Sequence, residues 1–152
     1  MKQILILLVS SIIYYSSFAQ VVGTMEVKEP IEGVCNQKGV YTLFPILGGE
    51  QVRAVCPISK EEILKRLNNE VQYLKENSKY KGKAGVNMII NCKGEVVQCK
   101  MSPKTKDEKL DQQILSVFSS LGEWKNGTLG GKSVDSVELF SFKIKNGVFL
   151  FE

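Results

Sequence analysis

The chain has 152 residues, 43% of them hydrophobic and 24% charged, the balance of a folded domain, which excludes collagenous, wholly disordered and polytopic membrane proteins. Its 20 Lys plus Arg against 16 Asp plus Glu leave a formal charge of +4, too mild and too interspersed for a phosphate-neutralising nucleic-acid stripe. Histidine is absent, which removes Ser-His-Asp and Cys-His catalysis, His-ligated zinc and His proton shuttles.

Residues 1–19 read as a secretory signal peptide. Lys2 supplies the positive start, Ile4 to Tyr15 an apolar run interrupted by Ser10 and Ser11, and Ser17-Phe18-Ala19 a small-x-small cleavage site before Gln20. The run falls short of the roughly 20 residues that span a bilayer, so a stable membrane anchor is not expected and a periplasmic or secreted product is.

Export sets how the four cysteines are read, since outside the cytoplasm thiols tend to pair, in any of three connectivities. In the N-terminal segment, residues 20–57, Val40 to Leu47 and Gln51 to Val55 flank Gly48-Gly49 as an apparent hairpin. Cys35 and Cys56 bracket it, and a disulfide between them is expected to staple a segment with little core of its own. Cys92 and Cys99 lie on strands flanking the turn Lys93-Gly94, about 13 Å apart along the chain direction, too far to bridge. They are expected to be small core hydrophobes. No C-x-x-C spacing supports a metal site.

Ser59-Lys60-Glu61-Glu62 is a capping box that starts a helix, with Ile63, Leu67, Val71 and Leu74 as its apolar stripe and an end near Asn77. A hairpin follows, Val86 to Cys92 and Glu95 to Met101, in a register that sets Ile90 opposite Val97, Met88 opposite Cys99 and Val86 opposite Met101. Thr105 or Asp107 caps a second helix whose stripe is Leu110, Ile114, Val117, Phe118 and Leu121, closed by Gly122 in the left-handed conformation. A last strand runs from Val134 to Ile144. Its apolar positions change parity between Val137, Leu139 and Phe140, Phe142, Ile144, which predicts a bulge near Leu139 or burial on both faces. The order predicts an α+β, two-layer domain, helix-β-β-helix-β: a small antiparallel three-stranded sheet covered by two helices, with the N-terminal hairpin added.

The stretch Gly85 to Val96, then Leu110-Asp111, Trp124-Lys125-Asn126-Gly127 and Gly130-Gly131-Lys132-Ser133-Val134, resembles the C-terminal domain of TonB, above all the versions abundant in Bacteroidetes. Phe44-Pro45, Gly48-Gly49-Glu50 and the helix from Leu64 to Lys81 extend the resemblance to residues 44–145, with the domain proper at 58–152. The likeness implies structural roles for Gly94, Trp124, Gly127 and Gly131. It further implies that the last strand, Val134 to Lys145, is an exposed edge that takes an extended peptide of an outer-membrane or periplasmic partner through Val134, Ser136, Val137, Glu138, Leu139, Phe140 and Phe142, in connection with TonB-dependent transport. Competing uses of such an edge are a homodimer by self-pairing, or a plain edge guarded by Asp135, Glu138, Lys143 and Lys145. The alternative function is a stand-alone secreted ligand-binding or inhibitor domain working through the cysteine-bearing segment, without energy transduction. Glu61-Glu62 and Asp107-Glu108 are helix-start charges rather than an acid–base pair, so no enzyme activity and no cofactor are expected.

Overall fold

A computed structural model describes residues 22–27, 29–47 and 50–151. The signal-peptide reading and the turn Gly48-Gly49 lie outside the described residues. The protein is a mixed α+β fold. Its larger sheet has six strands: β1 (Gly23–Met25), β2 (Val40–Thr42), β4 (Gly82–Ile90), β5 (Val96–Met101), β8 (Ser136–Lys145) and β9 (Val148–Phe151). Its smaller antiparallel sheet joins β3 (Gln51–Val52), β6 (Gly127–Leu129) and β7 (Lys132–Val134). Among the described residues three α-helices accompany the sheets: α1 (Lys60–Glu70), α2 (Gln72–Glu76) and α3 (Glu108–Ser119).

The helices start where their caps dictate. Ser59 Oγ accepts from the Glu62 N–H at 3.2 Å, and Asp107 Oδ1 from the Leu110 N–H at 3.1 Å, satisfying first-turn donors that have no intrahelical partner. The expected single helix to Asn77 is broken at Val71, which leaves helical geometry at ψ 93°. There Gln113 of α3 accepts from the Tyr73 N–H and starts α2 afresh. Both predicted stripes are buried, packing Ile63, Leu67, Leu74, Leu110, Ile114 and Phe118 against Val86, Met88, Phe140, Phe142 and Phe149 of one sheet face. Phe118 sits among them, 5.0 Å from the ring of Phe140.

In the β4–β5 hairpin, Val86 faces Met101 and Met88 faces Cys99 as predicted, while the expected pairing of Ile90 with Val97 is corrected by a bulge at Ile89/Ile90 that sets Ile90 opposite Val96. The bulge makes room for a wider turn: Asn91 Oδ1 accepts from the N–H groups of Lys93 and Glu95, and Gly94 adopts φ +90°. Strand β8 runs along β4 without a bulge, from Ile90↔Ser136 to Gly82↔Ile144. Burial on both faces explains its parity change. Phe140, Phe142 and Ile144 enter the helix-side core, and Val137 joins Val40 and Ile89 on the opposite face, under Val27, Ile31 and Val34.

Three expectations are corrected. The first concerns the hairpin of residues 40–55, which does not form: β2 pairs with β1 and, in parallel, with β8 through Tyr41↔Ser136, while β3 crosses to β6. Strands from before Pro57 thus pair with strands from after it in both sheets. The second concerns the disulfide, which joins Cys35 to Cys92 with 6.1 Å between Cα atoms, and not Cys35 to Cys56. Buried Asp135 causes this pairing: its carboxylate accepts the N–H groups of Cys35 (3.0 Å), Asn36 (2.7 Å) and Cys92 (3.0 Å), holding both cysteines at one point. Cys56 and Cys99 are half-buried free thiols packed against the helix-side core, and burial pushes both above the ordinary thiol range. Finally, the guard role of Asp135 and Glu138 gives way, since both are buried.

Two glycines act through space and dihedral separately. A Cβ at Gly94 would stand 2.0 Å from the Trp124 carbonyl oxygen, in a backbone contact where Trp124 N–H donates to Gly94 O at 3.0 Å, whereas a Cβ at Gly131 meets nothing within 4 Å. Gly131→Ala is expected to cost only the left-handed strain, about 1 kcal/mol, and Gly94→Ala at least twice that, measured by urea unfolding. Replacing Cys35 and Cys92 together by Ser is expected to cost roughly 2–4 kcal/mol by the same measurement, with accelerated amide exchange confined first to residues 29–38.

Candidate functional site

Among the described residues, one stretch of β8 has a neighbouring strand on one side only. Gly85 exchanges backbone hydrogen bonds with Ser102 and Pro103 on the β5 side of β4, so Ala84, Val86 and Met88 carry the ladder to β8. Their partners Phe142, Phe140 and Glu138 turn their amides toward β4. Leu139 and Ser141 turn theirs the other way. On that far side β2 reaches only Ser136 and β9 only Phe142 to Lys145, so residues 137–141 face no strand among the described residues.

The expectation of a free edge from Val134 to Lys145 is corrected accordingly. Val134 belongs to β7, opposite Gly127, and β8 is covered at both ends. What covers its far end is a hairpin, Asn146 (φ 52°) and Gly147 (φ 72°), the two-residue turn whose positive φ values suit the twist of the strands it joins. That Asn-Gly pair is legible in the sequence and was missed. Of the seven expected partner-contacting side chains, Ser136, Val137, Glu138, Phe140 and Phe142 are buried, Val134 is half-buried, and Leu139 alone is open, at 57% exposure.

A cleft of about 590 Å³ lies beside this opening, lined by Glu138, Leu139 and Phe140 of β8, by Trp124, and by the segment from Arg53 to Lys60. The segment is held by the bridge Val55↔Lys125, with N–H···O contacts of 2.8 and 3.0 Å. Trp124 packs edge-on to Phe140 at 6.1 Å, and its Nε1–H has no acceptor among the described residues. Across the cleft Glu138 takes the guanidinium of Arg53 and the N–H of Ala54. The motif glycines act behind the cleft: Gly127 lets Leu43 and Ser136 approach to where a Cβ would be 2.7 and 2.9 Å away.

The ligating atoms of Cys35, Cys92 and Asp135 gather within 4.8 Å. Both sulfurs are spent on the disulfide and the carboxylate on backbone amides, so this cluster is a covalent and hydrogen-bonded staple. The Cys56 thiol in the cleft, raised by burial, is not poised as a thiolate nucleophile. The cleft and the opening beside it present outward-turned amides, one exposed leucine and an apolar floor. Compared with known proteins, the chain matches no family model, no curated protein and no solved structure.

Burial pushes the Glu138 carboxyl above the ordinary glutamate range, against the pull of Arg53 and the Ala54 N–H. The folded state thus keeps this proton to a higher pH than the unfolded chain. The stability so contributed is complete below the ordinary glutamate range and is lost as pH rises through the raised value. Urea midpoints taken across pH are expected to fall over that window in the natural protein, and Glu138→Gln is expected to flatten the fall.

Proposed function

We propose that the protein is an exported, TonB-like interaction module that takes an extended segment of a partner protein alongside β8, at residues 137–141. The observation that carries the reading is the register of β8, whose amides at Leu139 and Ser141 turn away from β4 toward a side where no strand lies among the described residues, with the cleft beside Leu139. Main-chain bonds there would supply affinity, and the floor of Trp124 and Phe140 would select side chains. On this reading the domain is two-layered, with 58–152 as its TonB-like part, following a cleaved leader. It works in the periplasm or outside the cell, next to outer-membrane transport. The Cys35–Cys92 disulfide is compatible with an oxidising compartment, and no helix among the described residues is long and apolar enough to cross a membrane.

A displayed library of short peptides tests the reading. Selected peptides are expected to bind the natural protein and Leu139→Ala, and to lose at least tenfold in affinity for Leu139→Pro, which deletes an outward N–H without touching the ladder to β4. Peptides that bind Leu139→Pro unchanged would defeat strand addition. If such binding also vanished on reducing the Cys35–Cys92 bond, the stand-alone ligand-binding reading through the N-terminal segment would replace it.

A further inference from the structure

We propose that the turn from Phe44 to Leu47 dips into the interface of a lipid bilayer, so that the domain rests on a membrane through apolar side chains and not through charge. The local backbone makes this turn stand out. After β2 the chain buries Leu43 and then closes one 3₁₀ turn, Pro45–Leu47, in which the Leu47 N–H donates to the Phe44 carbonyl at 2.9 Å. The Phe44 N–H donates to Gln51 Oε1 at 2.9 Å, which ties the turn back to β3. Two of its N–H groups are thus bonded within the protein and Pro45 has none, which lowers the cost of taking this backbone out of water. The side chains stay outside: Ile46 is 93% exposed, Leu47 47% and Phe44 39%. A single exposed isoleucine needs no explanation, but four consecutive exposed apolar residues on one tip do.

Charge and chain path both indicate what covers the tip. No charged residue lies between Lys38 and Glu50, and none between Lys2 and Glu26. The pairing of β1 with β2 brings these two uncharged stretches together, with Gly23 opposite Thr42, where a Cβ on Gly23 would stand 3.3 Å from the Phe44 ring. The chain enters β1 from residues 1–21, whose run from Ile4 to Tyr15 is apolar enough to enter a bilayer. That run therefore joins the fold beside Phe44. The inference rests here on the exported, leader-bearing reading. While the leader is attached, it and the turn meet the same membrane, and after cleavage the turn remains as a weak, reversible contact.

A second copy of the chain is the competing occupant. A stable protein interface buries about 800 Å² on each partner, more than a projecting tip of four residues presents. A lipid interface accepts a tip of any outline, and the uncharged turn offers nothing to a strongly charged partner.

Flotation of the protein recovered after export with phosphatidylcholine vesicles at high lipid concentration tests this. Binding is expected without anionic lipid and is expected to withstand added salt. Ile46→Ser is expected to lose about tenfold in partitioning, the worth of burying one isoleucine, with an unchanged circular dichroism spectrum. In Ile46→Trp, emission is expected to shift to the blue and to be quenched by phosphatidylcholine brominated on its acyl chains, whereas the buried Trp124 of the natural protein is not quenched. Equal binding of Ile46→Ser and the natural protein, or Ile46→Trp emission indifferent to brominated lipid, overturns the proposal. A dimer in sedimentation equilibrium that Ile46→Ser dissolves, with no binding to vesicles, overturns it in favour of a second copy. Strand addition at β8 is read separately from Leu139→Pro, so either result leaves it standing.

Discussion

The carboxylate of Asp135 is the point on which the architecture turns. A buried carboxylate is costly unless its lone pairs are filled, and here three backbone amides fill them, from Cys35, Asn36 and Cys92. Those donors belong to the N-terminal segment and to the β4–β5 turn, and Asp135 itself stands at the entrance to β8. One side chain therefore fixes three distant parts of the chain. The carbonyl of the same residue accepts from Tyr41, which seats β2 alongside β8. The Cys35–Cys92 bond then locks a geometry already chosen by hydrogen bonds.

From that point the rest follows by packing. With β2 and the N-terminal segment on one side, the face bearing Val137 and Ile89 is covered locally, and β8 becomes a strand buried on both faces over part of its length. The helix-side face is closed by α1 and α3 around Phe118. Among the described residues, what stays open is the far side of residues 137–141, between the end of β2 and the end of β9, with the Arg53–Glu138 contact and the Val55–Lys125 bridge framing the cleft beside it.

Elements governed by local rules were legible in the sequence. Ser59 and Asp107 as caps, the stripes of α1 and α3, the left-handed Gly94 and Gly122, and the Met88–Cys99 register all depend on neighbours a few residues away. The paired ends of β8 were not, and for two different reasons. The turn Asn146-Gly147 carries a strong local signal that was overlooked, whereas the parallel contact between β2 and β8 depends on Asp135 finding amides 99 and 100 residues away. The cysteine pairing failed for the same reason: spacing nominates Cys56, while a buried carboxylate nominates Cys92. Of the candidate site, Leu139 and the place along β8 were legible. The burial of its neighbours was not, because Glu138 read as a surface charge until Arg53 and Ala54 enclosed it.

The staple between Cys35 and Cys92 also orders events in time. Cys56 is the nearer thiol along the chain, so in a nascent polypeptide the shorter loop closes more readily, whereas the carboxylate that selects the native partner arrives only with residue 135. A chain made from its amino end therefore has Cys56 within reach of Cys35 before Asp135 exists. The native crosslink must await residue 135, or be reached by thiol exchange once that residue has been added.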